Sequence, residues 1–335
     1  MPKPPVIAIA CQGGGSHAAF TAGVLSALFA APHRDRFRLL ALSGTSGGAV
    51  CAALAWAGLR ADGPEEAIRR LDGFWGELAA SDPLEAWVNA WTQLLFQLPL
   101  RADVSPYAYA PEAEPRLRAL LDRWMHPLGD APRTRPYLRL GVADVLAGGG
   151  AALDGESTDF SVSDIVASAA VPPLFRAVEA RGRLWWDGLY AHNPPIRALL
   201  GLPEKPEEIW VIRLNPRERE SHPRSMEEIE DRRNEKAGNL PLDHELHAIG
   251  LVNRHLAAAP VLAERFGYRQ VTVREVTLPL TQLPYRSKLD RSPAHLQALV
   301  AAGREAAASF FDAASIVVRP TPTPTPTLPR ARRPS

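Results

Sequence analysis

Cysteine and net charge are both scarce in this 335-residue chain: it has two cysteines, Cys11 and Cys51, and 38 Lys and Arg against 37 Asp and Glu, a formal charge of +1. Two cysteines exclude a disulfide framework and suit a reducing compartment. A near-neutral balance leaves no basic face to gather nucleic acid, so a nucleic-acid partner is not expected. No uninterrupted apolar run approaches the roughly 18 residues of a membrane-spanning helix. The apolar run VIAIA ahead of Gln12 is shorter than the roughly 7 to 15 residues of a secretion-signal core. Together these absences predict a cytoplasmic protein. What is abundant is apolar surface, 46% of residues, enough for a full globular core.

The apolar runs alternate with glycine turns. VIAIA (6 to 10) reads as a buried parallel strand and is followed by Gly13-Gly14-Gly15. Phe20, Val24, Leu25, Leu28 and Phe29 then recur at helical spacing up to Pro32. FRLLALS (37 to 43) reads as a second strand, and AVCAALAWAGL as a helix stopped by Gly58 and Gly63. Strand, glycines, helix, twice over, predicts parallel strands joined by right-handed crossovers. Further strands are expected at 137 to 145, 208 to 216 and 271 to 278, a hairpin turning at Arg181-Gly182, a short helix at 164 to 170, and helices from Asp243 to Pro260 and over 294 to 313. The mixed charges of 217 to 237 predict a solvated helix and loop. RPTPTPTPTLPRARRPS at the end predicts an extended, disordered tail.

Chemistry concentrates at the glycines. Gly44-x-Ser46-x-Gly48 between a strand and a helix can expose a serine on a tight turn, with the helix N-terminus favouring negative charge beside it. The amides of Gly13 to Gly15 are free to face an anion, and successive turns of a parallel sheet lie along one edge, so they can stand beside Ser46 as an oxyanion hole. Gly13-x-Gly15-x-x-Ala18 also fits a dinucleotide fingerprint. That reading needs an acid at the end of the second strand, where the chain has Ser43. For a base, WWDGLYAHNPP offers Asp187 at a strand end, and His192 five residues on offers a third triad member. Asp154-Gly155 reads as a hairpin turn. His244 and His247 lack the spacing of a zinc helix and read as a polar helix face.

QGGGSHAAFTAGVL, GTSGG, SAAVPPLF and the Asp-Gly of WWDGLYAHNPP, in that order, resemble the patatin-like phospholipases over residues 6 to 215. The resemblance implies an α/β, three-layer fold with a mostly parallel central sheet flanked by helices. It implies a lipid acyl hydrolase in which Ser46 is the nucleophile and Asp187 the base, without histidine. Gly13, Gly14 and Gly15 with Gly47 would bind the oxyanion, and no cofactor or metal is called for. Three positions depart from the family pattern: His17 where Arg or Lys is usual, Ala18 for Gly, and Leu189 for Gly or Ala. An acyltransferase or thioesterase using the same acyl-enzyme, or a catalytically weak lipid-binding module, are the alternatives.

The expected organisation is a catalytic domain over 6–215, a C-terminal helical extension with a late strand over 216–318, and the tail over 319–335. The expected partner is a lipid or other acyl ester, met in transient contact with a membrane surface. Leu84, Trp87, Val88, Trp91, Leu94, Leu95 and Leu98 form one stripe of an amphipathic helix, leaving Glu85, Asn89, Gln93 and Gln97 on its other faces. That stripe either packs on the core or meets lipid.

Overall fold

The computed structural model describes residues 3–95, 105–108, 112–127, 135–172, 174–219, 221–279 and 283–312. The tail lies outside them. β1 (Val6–Cys11) leads through the glycine turn into α1 (Ala18–Phe29), and β2 (Arg38–Gly44) leads through the serine turn into α2 (Gly47–Ala61). There follow α3 (Pro64–Leu78), α4 (Pro83–Leu95), α5 (Ala113–Met125), β3 (Tyr137–Asp144), β4 (Gly150–Asp154), α6 (Val162–Ser168), β5 (Val178–Ala180) and β6 (Arg183–Asp187). The rest is α7 (Ile196–Leu200), β7 (Glu208–Arg213), α8 (Met226–Ala258), α9 (Val261–Phe266), β8 (Thr272–Thr277) and α10 (Pro293–Asp312).

These strands form one mixed, mostly parallel sheet. β1 lies at its centre between β2 and β7, β3 follows β2, and β8 follows β7, all parallel; β4, β5 and β6 are antiparallel. Alternate side chains of β1 point to opposite faces. Ile7, Ile9 and Cys11 enter the core under α1, α2, α3 and α10, while Val6, Ala8 and Ala10 enter a second core under α7 and α8. Both faces are therefore covered, which is why β1 is apolar throughout and wholly buried. The late strand β8 joins the sheet beside β7, and α10 packs along α1. Among the described residues no helix is long and apolar enough to cross a membrane.

β3 aligns the loops that matter. β4 pairs with Arg139–Ala143 along one edge of β3. β2 pairs with Tyr137–Leu140 and β6 with Val142–Asp144, so both must use the other edge, one beyond the end of the other. The turn after β2 and the end of β6 are thereby brought face to face.

Four expectations need correction. α2 does not stop at Gly58, which instead lets α3 approach: a Cβ there would lie 2.4 Å from Ala67 Cα. α8 starts at Met226 and runs through Pro241, held before the proline by side-chain bonds to the Gly238 carbonyl and after it by Leu242 and Ile249 in the second core. Asp154-Gly155 is not a hairpin turn but the end of β4, where Arg181 holds Asp154 at 2.5 Å. In α4, Leu84, Trp87 and Val88 are 70%, 59% and 37% exposed, while polar Asn89 is buried and binds Asp290 and the Arg291 amide. The side chains of Trp91, Leu94 and Leu95, and the whole of Leu98, lie outside the described residues.

Candidate active site

The serine turn is strained. Ser46 caps α2 with φ 57° and ψ −133°, a conformation that costs a non-glycine residue about 1–3 kcal/mol. Tight packing holds it: a Cβ on Gly44 would lie 2.3 Å from the Gly48 carbonyl oxygen, and one on Gly48 2.4 Å from that of Cys11. The result is a half-buried Ser46 pushed out at the strand-to-helix corner.

The first glycine turn lies directly against this corner. A Cβ on Gly13 would stand 2.9 Å from Ser46 Cβ, and one on Gly47 2.6 Å from the Gly15 carbonyl. Gly15 has φ +57°, which glycine adopts without strain. The four expected oxyanion donors divide here. Gly13 N–H donates to Asn193 Oδ1 at 2.7 Å, so it is already used and is removed from the set. The N–H groups of Gly14, Gly15 and Gly47 have no hydrogen-bond partner among the described residues.

Asp187 ends β6 and is fully buried. Its Oδ1 accepts the Leu189 N–H at 2.8 Å, while Oδ2 has no partner that meets hydrogen-bond geometry among the described residues. Burial pushes the carboxyl up to about 7, with the Leu189 N–H and the facing Ser46 hydroxyl pulling it down. The two side chains are thus in electrostatic contact without an aligned hydrogen bond, as is common where no substrate is bound.

SAAVPPLF joins the two. Ser168 O accepts the Ser46 N–H at 3.0 Å, Ala170 O accepts the Asp187 N–H at 3.0 Å, and Ser168 Oγ donates to Gly141 O at 2.6 Å. The backbone of the pair is therefore locked to one segment.

The remaining candidates are engaged elsewhere. His192 Nδ1 pairs with Glu245 of α8 at 2.9 Å and its carbonyl accepts Thr45 Oγ1, while no hydrogen bond joins its ring to Ser46 or Asp187. His17 is buried and meets Ser287 Oγ at 2.7 Å. Because the Ser287 proton goes to Pro284 O, His17 Nε2 is the donor there. Burial, then Lys288 and His295, hold His17 well below its usual range, so it is neutral. Leu189 approaches α8, 3.4 Å from where a Gly238 Cβ would be. Cys11 and Cys51 are buried thiols, both pushed up by burial, Cys51 to about 12. Among the described residues no group of three His, Cys, Asp or Glu is placed to hold a metal.

Sequence reasoning missed Ser168, Asn193 and Gln12. The first two are small polar residues inside segments already singled out, and their partners lie far away along the chain.

A parallel sheet flanked by helices, with a strained serine at a strand-to-helix corner against a glycine turn, defines an α/β protein of hydrolase type. The patatin-like phospholipase model matches residues 9–200, and the chain belongs to that family. No curated protein sequence matches it. Among solved structures, VipD from Legionella pneumophila aligns over 93% of this chain and 67% of its own, at 12% identity and TM-score 0.41. The type III effector ExoU aligns over 93% of this chain and 53% of its own, at 15% identity and TM-score 0.36. ExoU in its heterodimeric complex with SpcU, from Pseudomonas aeruginosa, aligns over 93% and 52%, at 14% identity and TM-score 0.36. The chain spans about half the length of ExoU.

Proposed function

We propose that the protein cleaves carboxylic esters of lipids through a Ser46–Asp187 dyad supplied by residues 6–215. Ser46 Oγ attacks the ester carbonyl carbon while Asp187 takes the hydroxyl proton. The negative charge on the carbonyl oxygen is held by the N–H groups of Gly14 and Gly15 with that of Gly47. Collapse of this intermediate breaks the ester C–O bond, and the departing alkoxide takes the proton from Asp187. Water then attacks the acyl-enzyme by the same route in reverse, releasing the fatty acid and Ser46. Proton transfer runs between Ser46 and Asp187, so the cycle calls for no cofactor.

The observation that carries this reading is the buried Asp187 carboxyl, raised to about 7 and facing the hydroxyl of a strained serine. A base with a pKa near the working pH is matched to general-base duty. The test is covalent labelling by a fluorophosphonate together with hydrolysis of a short nitrophenyl ester. Labelling is expected at Ser46. Ser46→Ala and Asp187→Asn should each remove nearly all turnover, and the double variant should be little worse than either. His192→Ala is expected to keep most of it. A folded, inactive His192→Ala protein would replace the dyad by a triad.

A further inference from the structure

Asn193 sits six residues after Asp187, fully buried, and its amide is used at both ends. Oδ1 accepts the Gly13 N–H at 2.7 Å, and Nδ2 donates to the carbonyl of Gly238 in α8 at 2.9 Å. The amide orientation follows from its partners, since an N–H must meet the oxygen and a carbonyl the nitrogen. Gln12, immediately before the glycine turn, makes a parallel connection. Its Nε2 donates to the same Gly238 carbonyl at 3.1 Å and to Asn239 Oδ1 at 3.0 Å, and its Oε1 accepts the amides of Leu214 and Asn215.

A helix carbonyl accepting two side-chain amides needs a local cause. Pro241 lacks the N–H that would close on the carbonyl four residues earlier, at Ala237, so the helix ladder misses one bond at that turn. One residue further on, Gly238 has no Cβ to hold the neighbouring amides away: a Cβ there would lie 2.6 Å from Asn215 Nδ2 and 3.5 Å from Asn193 Nδ2. The stretch Ala237-Gly238-Asn239-Leu240-Pro241 is thus shaped to receive the underside of the glycine turn. It also lies outside the family match, which ends at residue 200.

We infer that Asn193 is a positioning residue: by tying Gly13 N–H to Gly238 of α8 it fixes the glycine turn so that the next two amides face the oxyanion. Gly13 serves as the anchor of the loop, and Gly14 and Gly15 as its donors. One short segment then sets both halves of the chemistry, the base at Asp187 and the loop through Asn193. Oxyanion donors act by being fixed in place before charge develops, so loosening the anchor should weaken the transition state more than the bound substrate.

This inference rests on the Ser46–Asp187 reading, and the experiment separates the two. Asn193→Ala and Asn193→Asp are compared with wild type in the full chain, using a soluble nitrophenyl ester. Two inhibitors are added: a trifluoromethyl ketone, which accepts Ser46 Oγ and forms an oxyanion, and the corresponding alcohol, which does not. For Asn193→Ala, kcat is expected to fall roughly 10- to 100-fold, the scale on which small misplacements act, with KM little changed. Ketone inhibition should weaken by a similar factor and alcohol inhibition should stay the same. Asn193→Asp keeps the acceptor for Gly13 but not the donor to Gly238, and an intermediate loss is expected. A folded Asn193→Ala protein with wild-type kcat, or equal loss of ketone and alcohol binding, would overturn the inference. So would failure of both variants to fold, which would make Asn193 a folding residue. Wild-type protein that a fluorophosphonate does not label at Ser46 would instead sink the dyad itself.

Discussion

Gly44 and Asp187 share one edge of β3, Gly44 opposite Leu140 and Asp187 opposite Val142. β2 and β6 approach along that edge from opposite directions and both end there. Two strand ends meeting on a third strand are a rigid way to hold a serine corner and a carboxylate at short range, because each position is set by ladder hydrogen bonds rather than by loops.

The pH dependence follows from the Asp187 environment. Only the ionised carboxylate can take the Ser46 proton, and burial places its midpoint at about 7. On a dissolved ester, kcat/KM is therefore expected to climb about tenfold per pH unit below that midpoint and level off above it. A profile flat from pH 5 to 8 would remove Asp187 as the base.

The same burial predicts a conflict between activity and stability. Asp187 moves from 3.8 unfolded to about 7 folded, so the folded state holds the proton more tightly. Its favourable contribution is complete below pH 3.8 and is lost as pH rises through about 7. The loss is on the order of 4 kcal/mol at most, from about 1.36 kcal/mol per unit. Asp187→Asn retains an oxygen for the Leu189 N–H and never ionises. It should match wild type in thermal unfolding near pH 4 and exceed it at pH 8, while being inactive. A variant less stable than wild type at pH 8 would contradict this.

Gly47→Ala tests the contact between the two turns. The added methyl would lie 2.6 Å from the Gly15 carbonyl oxygen and 2.7 Å from Ala18 Cβ, so the glycine turn must shift away from Ser46. Turnover is expected to fall on the order of 100-fold, the effect of losing one oxyanion donor. KM on a soluble ester should barely change. Wild-type kcat in the folded variant would end the assignment.

In α4, Leu84 and Trp87 are exposed rather than packed in the core, and the lipid contact expected of the stripe can be tested on them. Asn89 holds this helix to Asp290 and Arg291, just beyond the turn whose Lys288 carbonyl packs on Gly15, so α4 is tied to the segment that backs the glycine turn. Burial of one such side chain in a membrane surface is worth about 1.5–3 kcal/mol, or about tenfold or more in binding. Leu84→Ser with Trp87→Ala is expected to lower hydrolysis of vesicle lipid by at least about tenfold and to leave the soluble ester and the unfolding midpoint nearly untouched. Equal losses on both substrates would show that the helix has no separate role at the membrane.

Sequence alone determined the βα frame: the continuous apolar runs of β1 and β2 can be buried only in a sheet covered on both faces, and the glycines after them permit close turns. Ser46 and Asp187 were legible as candidates because each sits at a strand end beside glycine, a local pattern. Tertiary structure decided what local pattern cannot carry. The amide of Gly13 looks equivalent to those of Gly14 and Gly15 in the chain, yet Asn193, 180 residues away, takes it. Asn89 reads as solvent-facing by helical period, and Asp290 turns it inward. Pro241 reads as a helix breaker, while α8 continues past it and Asn193 reaches the Gly238 carbonyl one turn before it. In each case the deciding partner is distant in sequence, and hydrogen-bond satisfaction in a buried place outweighs local preference because an unpaired buried polar group costs about 1–3 kcal/mol.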